Sequence, residues 1–320
     1  MRSSDYSNRS SFLGRARDDL LDRCLLVTVL ADWYERASAN RRRVALADGS
    51  DPRALAAAAE LNERDLVEAV VIDDPGRFRS ARLEQAAGSL TKPVDLDDPL
   101  AVAALMVKCG DADACVAGAS RTTSDVIRTG LRVLGVAPNA NAVSSSFFFV
   151  LPDGTPIVYG DCGVLPDPDA EQLASVAISS AATFEQLSGE SARVAMLSFS
   201  TKGSAEHARV DKVRAATGLA QALAPGLAID GELQFDAAWV PAVAESKAPG
   251  STVAGYANVF IFPDLDAANI AYKITERLGR AQAFGPLLQG LGGVMHDLSR
   301  GCTADDIVNV SVIAALQATS

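Results

Sequence analysis

Aromatic side chains are scarce in this chain of 320 residues, at 6%, and so are the residue types that build metal centres. There are two histidines, His207 and His296, and five cysteines, Cys24, Cys109, Cys115, Cys162 and Cys302, with no CxxC pair among them. A zinc site is therefore not expected, and an odd set of unpaired thiols fits a reducing compartment better than a disulfide framework. Basic residues are also in the minority: 29 Lys and Arg stand against 40 Asp and Glu, a net charge of −11. That balance speaks against nucleic acid or an anionic membrane as a partner. Long apolar runs are lacking too, since nothing approaches the roughly 18 to 20 residues that span a bilayer. The nearest stretch, Cys24 to Ala31, follows Asp18, Asp19 and Asp22, where a secretion signal would carry positive charge. A cytoplasmic protein is expected.

What is present suits a large α/β core. Hydrophobic residues make up 48% and charged residues 22%, with alanine abundant. The length exceeds that of most single domains, so two are expected. Residues 1–11 are Ser-rich and polar and read as disordered, and Phe12 to Ser38 reads as amphipathic helix. Near-continuous apolar strands at Val44 to Ala47, Val67 to Ile72 and Ala112 to Ala117 alternate with helices from Pro52 and from Pro99, the pattern of a parallel sheet. Ser146 to Leu151 and Pro156 to Tyr159 flank Asp153-Gly154 as a β-hairpin. A second α/β series follows, with helices expected at Asp169 to Leu187, Ala205 to Ala222, Asp236 to Glu245 and Asp266 to Arg280. The reading is two three-layer α/β domains with mainly parallel sheets and an active-site cleft between them. A 1–25 extension precedes domain I (26–138 plus 287–320), and domain II covers 139–286.

The C-terminal edges of parallel strands are where such folds hold ligands, and three stretches there carry chemistry. In Asp297-LSRGC-Thr303, followed by Asp305 and Asp306, a hydroxyl, a guanidinium and two carboxylates precede a helix that apolar spacing starts near Thr303. The free N–H groups at its start and the charge of Arg300 suit an anion. Thr303-x-x-Asp306 is equally a capping box, in which the acid only satisfies an orphan amide. Ser198 to Ser204 resembles a phosphate cradle, with small residues, hydroxyls at Ser198 and Thr201, the charge of Lys202, and Gly203. It lacks the GxxxxGK[ST] spacing, and an ordinary polar loop explains it as well. Arg277 and Arg280 are placed where the helix dipole favours cations in any case.

Taken together, Ser198-FSTKGS-Ala205, Asp230-GELQFDAA-Trp239, Ser246-KAP-Gly250, Val259-FIFPDLDAANIAYK-Ile274 and Asp297-LSRGC-Thr303 closely resemble the phosphate acetyltransferase (phosphotransacetylase) family of the phosphate acetyl/butyryltransferases. The resemblance covers roughly residues 26 to 320 and is weakest between Gly76 and Leu100. It implies transfer of an acetyl group between acetyl phosphate and coenzyme A, a cosubstrate, giving acetyl-CoA and inorganic phosphate with no metal or other cofactor, in a homodimer. It further implies that Asp306 deprotonates the CoA thiol, that Ser299 bonds the reacting thiol or carbonyl, and that Arg300 holds the phosphoryl group. Arg128 and Arg277 match family arginines facing the cleft. Cys162 matches a family cysteine near the site and is read as pocket lining, because nothing near it in sequence would lower its pKa.

The chain also departs from the family pattern. A basic stretch of the type YELRKxKG is replaced by Ala86-AGSLTKPVDLDDP-Leu100, and Arg121 stands where a histidine is common and could supply the missing charge. Gly292 to His296 replaces an AKPVN-like approach, so a more mobile loop is expected there. Residues 1–25 extend past the usual start and could dock to a shell or a partner enzyme. Two other readings stay open: a preference for propionyl or butyryl phosphate, and a non-catalytic CoA-binding or partner-binding protein.

Overall fold

A computed structural model describes residues 29–318; the expectations for residues 1–28 lie outside the described residues. Two sheets organise the chain. In the first, β1 (Arg43–Leu46), β2 (Glu68–Val71), β3 (Ala114–Ala117) and β10 (Val294–Asp297) run parallel in the order β10-β3-β1-β2. In the second, the order is β7-β6-β8-β5-β4-β9, built from β4 (Ser144–Val150), β5 (Pro156–Gly160), β6 (Arg193–Leu197), β7 (Ala228–Leu233), β8 (Val259–Ile261) and β9 (Gln282–Gln289). The expected hairpin is β4–β5. β9 also pairs antiparallel with β4, so one edge of this sheet is antiparallel over three strands. The fold is the mixed α/β arrangement expected, with parallel pairing dominant.

Helices begin where the sequence supplies caps. Asp51 and Pro52 open α2 (Pro52–Glu63), Ser80 opens α3 (Ala81–Gly88), and Asp98 and Pro99 open α4 (Pro99–Cys109). α1 covers residues 29–39 of the described chain. Thr122 caps α5 (Thr123–Val133), and Asp169 closes a capping box on α6 (Ala170–Ser188). α7 (Ala208–Leu223) follows the β6 loop. One helix was expected over Asp236 to Glu245. It is two, α8 (Phe235–Trp239) and α9 (Pro241–Lys247), because Pro241 has no N–H to donate and forces the break at Val240. α10 (Leu265–Arg277) is capped by Asp264, and α11 (Ala304–Gln317) by Thr303.

Of the approach at Gly292 to His296, expected to be loose, the part from Val294 on is strand: β10 pairs along β3, and Met295 and His296 are buried. Trp33 of α1 is completely buried, edge-on to Phe148 and Phe284, and donates its indole N–H to the carbonyl of Leu187. α11 packs on α2, β1 and β3 on one side and on α6 and β9 on the other. Its apolar residues, among them Ile307 and Val310 to Leu316, therefore join one core cluster that draws on both sheets.

Candidate active site

Between the sheets lies a cavity of about 810 Å³. The loop after β3 brings Arg121 and Thr123 to it, and the loop after β10 brings Asp297, Ser299 and Arg300. Asp306, in the first turn of α11, completes that side. The second sheet supplies Phe147 from β4, Cys162 after β5, and Phe284 and Pro286 from β9. α10 presents Asn269, Tyr272 and Glu276 inward at helical spacing, with Arg277 at its end. Tyr272 stacks on Phe147 at 4.4 Å between ring centroids, giving the cavity an aromatic wall.

Asp306 is exposed and forms the capping box with Thr303. Its Oδ2 accepts the N–H of Thr303 at 2.8 Å and the hydroxyl at 2.9 Å. Both bonds fall on Oδ2, so Oδ1 has no partner among the described residues. Capping thus occupies one oxygen of the carboxylate and leaves the other for chemistry. Ser299 and Arg300 are exposed at the cavity mouth. Arg121 lies 2.5 Å from Asp98, which orients it while neutralising part of its charge. Arg277 is 79% exposed and its only ion pair among the described residues is with Glu276 at 3.3 Å. Burial pushes the Cys162 thiol well up, with Asp161 adding to the effect, so it stays protonated and serves as wall.

Two groups of expected site residues are elsewhere. Arg128 turns to Asp125 at 2.8 Å and does not line the cavity. The loop with Ser198, Thr201, Lys202 and Gly203 does not line it either, and wraps a carboxylate of the protein itself. Buried Glu232 accepts the N–H of Gly203 at 2.8 Å and the hydroxyl of Ser200 at 2.9 Å, and Arg214 forks onto it at 3.0 Å. Burial alone would raise the Glu232 carboxyl; the Arg214 bond and the loop N–H overcome that and hold it at about 2. Lys202 pairs with Asp230. In this loop Gly203 and Ser200 thus bond a carboxylate of the protein itself, while Thr201 bonds Gln234.

Asp297 was not singled out from the sequence, yet it is the most perturbed carboxyl at the cavity. It is 1% exposed, its Oδ2 accepts the hydroxyl of Thr123 at 2.5 Å, and its Oδ1 has no hydrogen-bond partner. Burial pushes it up to about 6 against the Thr123 bond. Only glycine fits beside it: Gly118 has φ +116°, and a Cβ there would come within 2.4 Å of Oδ1. The signal was available, since an acid at the last position of a buried apolar strand faces the ligand edge of the sheet. Among the described residues no cluster of His, Cys, Asp and Glu could hold a metal ion, and no helix is long and apolar enough to cross a membrane.

The family model described as phosphate acetyl/butaryl transferase matches residues 89–315. A phosphate acetyltransferase of Acetivibrio thermocellus is 45% identical over 91% of this chain and 98% of its own length. One from Thermoanaerobacterium thermosaccharolyticum is 41% identical over 91% of this chain and all of its own. The crystal structure of a phosphotransacetylase from Streptococcus pyogenes superposes with a TM-score of 0.84 at 36% identity, covering 91% of this chain and 98% of that one. With matches of this extent running through both sheets and the cavity between them, the chain belongs to the phosphate acetyl/butaryl transferase family.

Proposed function

We propose that the chain is a phosphate acetyltransferase that moves an acetyl group between acetyl phosphate and coenzyme A, with Asp306 as base. The observation that carries this reading is the exposed Asp306 carboxylate, one oxygen unpartnered, at the same cavity mouth as Ser299, Arg300, Arg121 and Arg277. Asp306 takes the thiol proton, and the thiolate attacks the carbonyl carbon of the acyl phosphate. The C–S bond forms, the C–O bond to phosphate breaks, and phosphate leaves with the electron pair. Ser299 donates to the carbonyl oxygen, and Arg300 and Arg277 hold the phosphoryl oxygens. No covalent enzyme intermediate is needed, because fixing two bound reactants in attacking geometry can supply about 7 to 11 kcal/mol.

Arg128 and the Ser198 to Gly203 loop have no place in this proposal, being turned to Asp125 and Glu232. The reading includes the two domains as 26–138 plus 287–320 and 139–286, a homodimer, and a cytoplasmic location. The test is purified protein with CoA and a panel of acetyl, propionyl and butyryl phosphate, following thiol consumption. Thioester from acetyl phosphate supports the proposal; tight CoA binding without turnover on any of them overturns it in favour of a binding protein. A second reading, preference for a longer acyl group, draws on the Phe147–Tyr272 wall, and the same panel decides it, since a methylene is worth only about 1 to 3 kcal/mol.

A further inference from the structure

The turn between β1 and α2, Asp48-GSDP-Arg53, contributes nothing to the cavity lining, yet it grips both loops that do. Asp48 is 4% exposed and faces the loop after β3. Its Oδ2 accepts the N–H groups of Gly118 at 2.8 Å and Ala119 at 3.0 Å, and its Oδ1 accepts the N–H and the hydroxyl of Ser120. That carboxylate fixes the strand exit from which Arg121 and Thr123 reach the cavity.

Arg53 completes the arrangement from the other polarity. Its Nη1 donates to the carbonyls of Arg300 at 2.9 Å and Cys302 at 2.8 Å, and its Nη2 to the carbonyl of Ala119 at 2.8 Å. Asp51, which caps α2, holds the guanidinium in a two-point fork through Nε at 3.0 Å and Nη2 at 2.7 Å. A planar fork locked on one edge presents its remaining donors in fixed directions, which a flexible ammonium cannot do. One side chain therefore ties the loop carrying Arg121 to the loop carrying Ser299 and Arg300.

We propose that Arg53 is a positioning residue for the transfer reaction, setting the separation of the Arg121 loop from the Ser299–Arg300 loop through three backbone carbonyls. This rests on the acyltransferase reading of the cavity. Arg53 does not line the cavity; it acts through the carbonyls of Ala119, Arg300 and Cys302.

Arg53→Lys and Arg53→Ala test this, with kcat, KM for CoA and acetyl phosphate, and amide hydrogen exchange of peptides covering 118–121 and 297–303. The expected result for Arg53→Lys is a folded protein with kcat lowered about 100-fold, the scale of a misplacement near 1 Å, and faster exchange in both loops. Added guanidinium restores part of the kcat of Arg53→Ala. A folded Arg53→Lys with unchanged kcat overturns the proposal, and so does a lowered kcat with unchanged exchange in both loops. If Arg53→Ala does not fold, Arg53→Lys alone carries the test. If the unsubstituted chain forms no thioester from any acyl phosphate, the acyltransferase reading fails, and exchange still decides whether Arg53 holds the two loops together.

Discussion

Nε2 of His296 lies 2.6 Å from Oε1 of Gln317, so the far end of α11 is fastened to the strand that leads into the Ser299–Arg300 loop. The other ring nitrogen, Nδ1, accepts the N–H of Leu288 at 3.2 Å, which makes Nε2 the protonated position and the imidazole neutral. Gln317 in turn reaches Thr183 of α6. Strands of both sheets and two helices thus meet at one buried ring.

This ring should make stability acid-sensitive. Burial lowers the His296 pKa to about 4 from 6.5, so the unfolded chain binds the proton more readily than the folded one. The stabilisation is complete above 6.5 and is lost as pH falls toward 4, by about 3 kcal/mol over the window. Denaturant melts from pH 7 to 4 should show a steeper fall for the parent than for His296→Gln. Parallel curves for the two would remove the assignment.

Asp297 should behave with the opposite sign. Its pKa is raised to about 6 from 3.8, so the stability tied to its neutral form is present below 3.8 and lost as pH rises through 6. Asp297→Asn keeps an acceptor for Thr123 and abolishes the buried charge. It should raise stability at pH 7.5 by about 1 to 3 kcal/mol and by little at pH 4. Equal melting of the two proteins at pH 7.5 would show that the carboxylate is already compensated.

Asp306→Asn separates the base from the cap. Asparagine can still accept the N–H of Thr303, so the stability cost should stay below about 1 kcal/mol. Thioester formation should fall by about 10²- to 10⁴-fold if the carboxylate takes the thiol proton. Comparable losses in both properties would assign Asp306 to capping alone.

Trp33→Ala should be among the costliest substitutions, at about 3 to 5 kcal/mol, because a fully buried ring between Phe148 and Phe284 is replaced by a void. Trp33→Phe should recover most of that in thermal unfolding, losing chiefly the hydrogen bond to Leu187.

Much of the fold was legible because the signals are local: Asp51-Pro52, Asp98-Pro99 and Thr303-x-x-Asp306 each announce a helix start with a side-chain oxygen that accepts an N–H of the first turn. β9 and β10 were not, since Gln282 to Gln289 contains Gly285 and Pro286 and gains strand character only by pairing with β4. Ser299, Arg300 and Arg277, which line the cavity, could be read in sequence because each sits at an element end with chemistry of its own, whereas Asp297 at the strand end passed as part of the motif. Thr123, Phe147 and Tyr272 could not, for what matters in them is the partner across the cavity. The surroundings of the Ser198 to Gly203 loop were hidden for a related reason: Glu232, which accepts the N–H of Gly203, comes from the next strand.

α11 is also a matter of timing. Synthesis delivers it after every described strand, and until then both sheets present the apolar faces that Ile307 and Val310 to Leu316 will cover. The two halves can form their hydrogen-bonded ladders earlier, but the apolar cluster that draws on both sheets is incomplete without this helix. Asp306 lies in its first turn, so seating this helix also delivers the proposed base to the cavity.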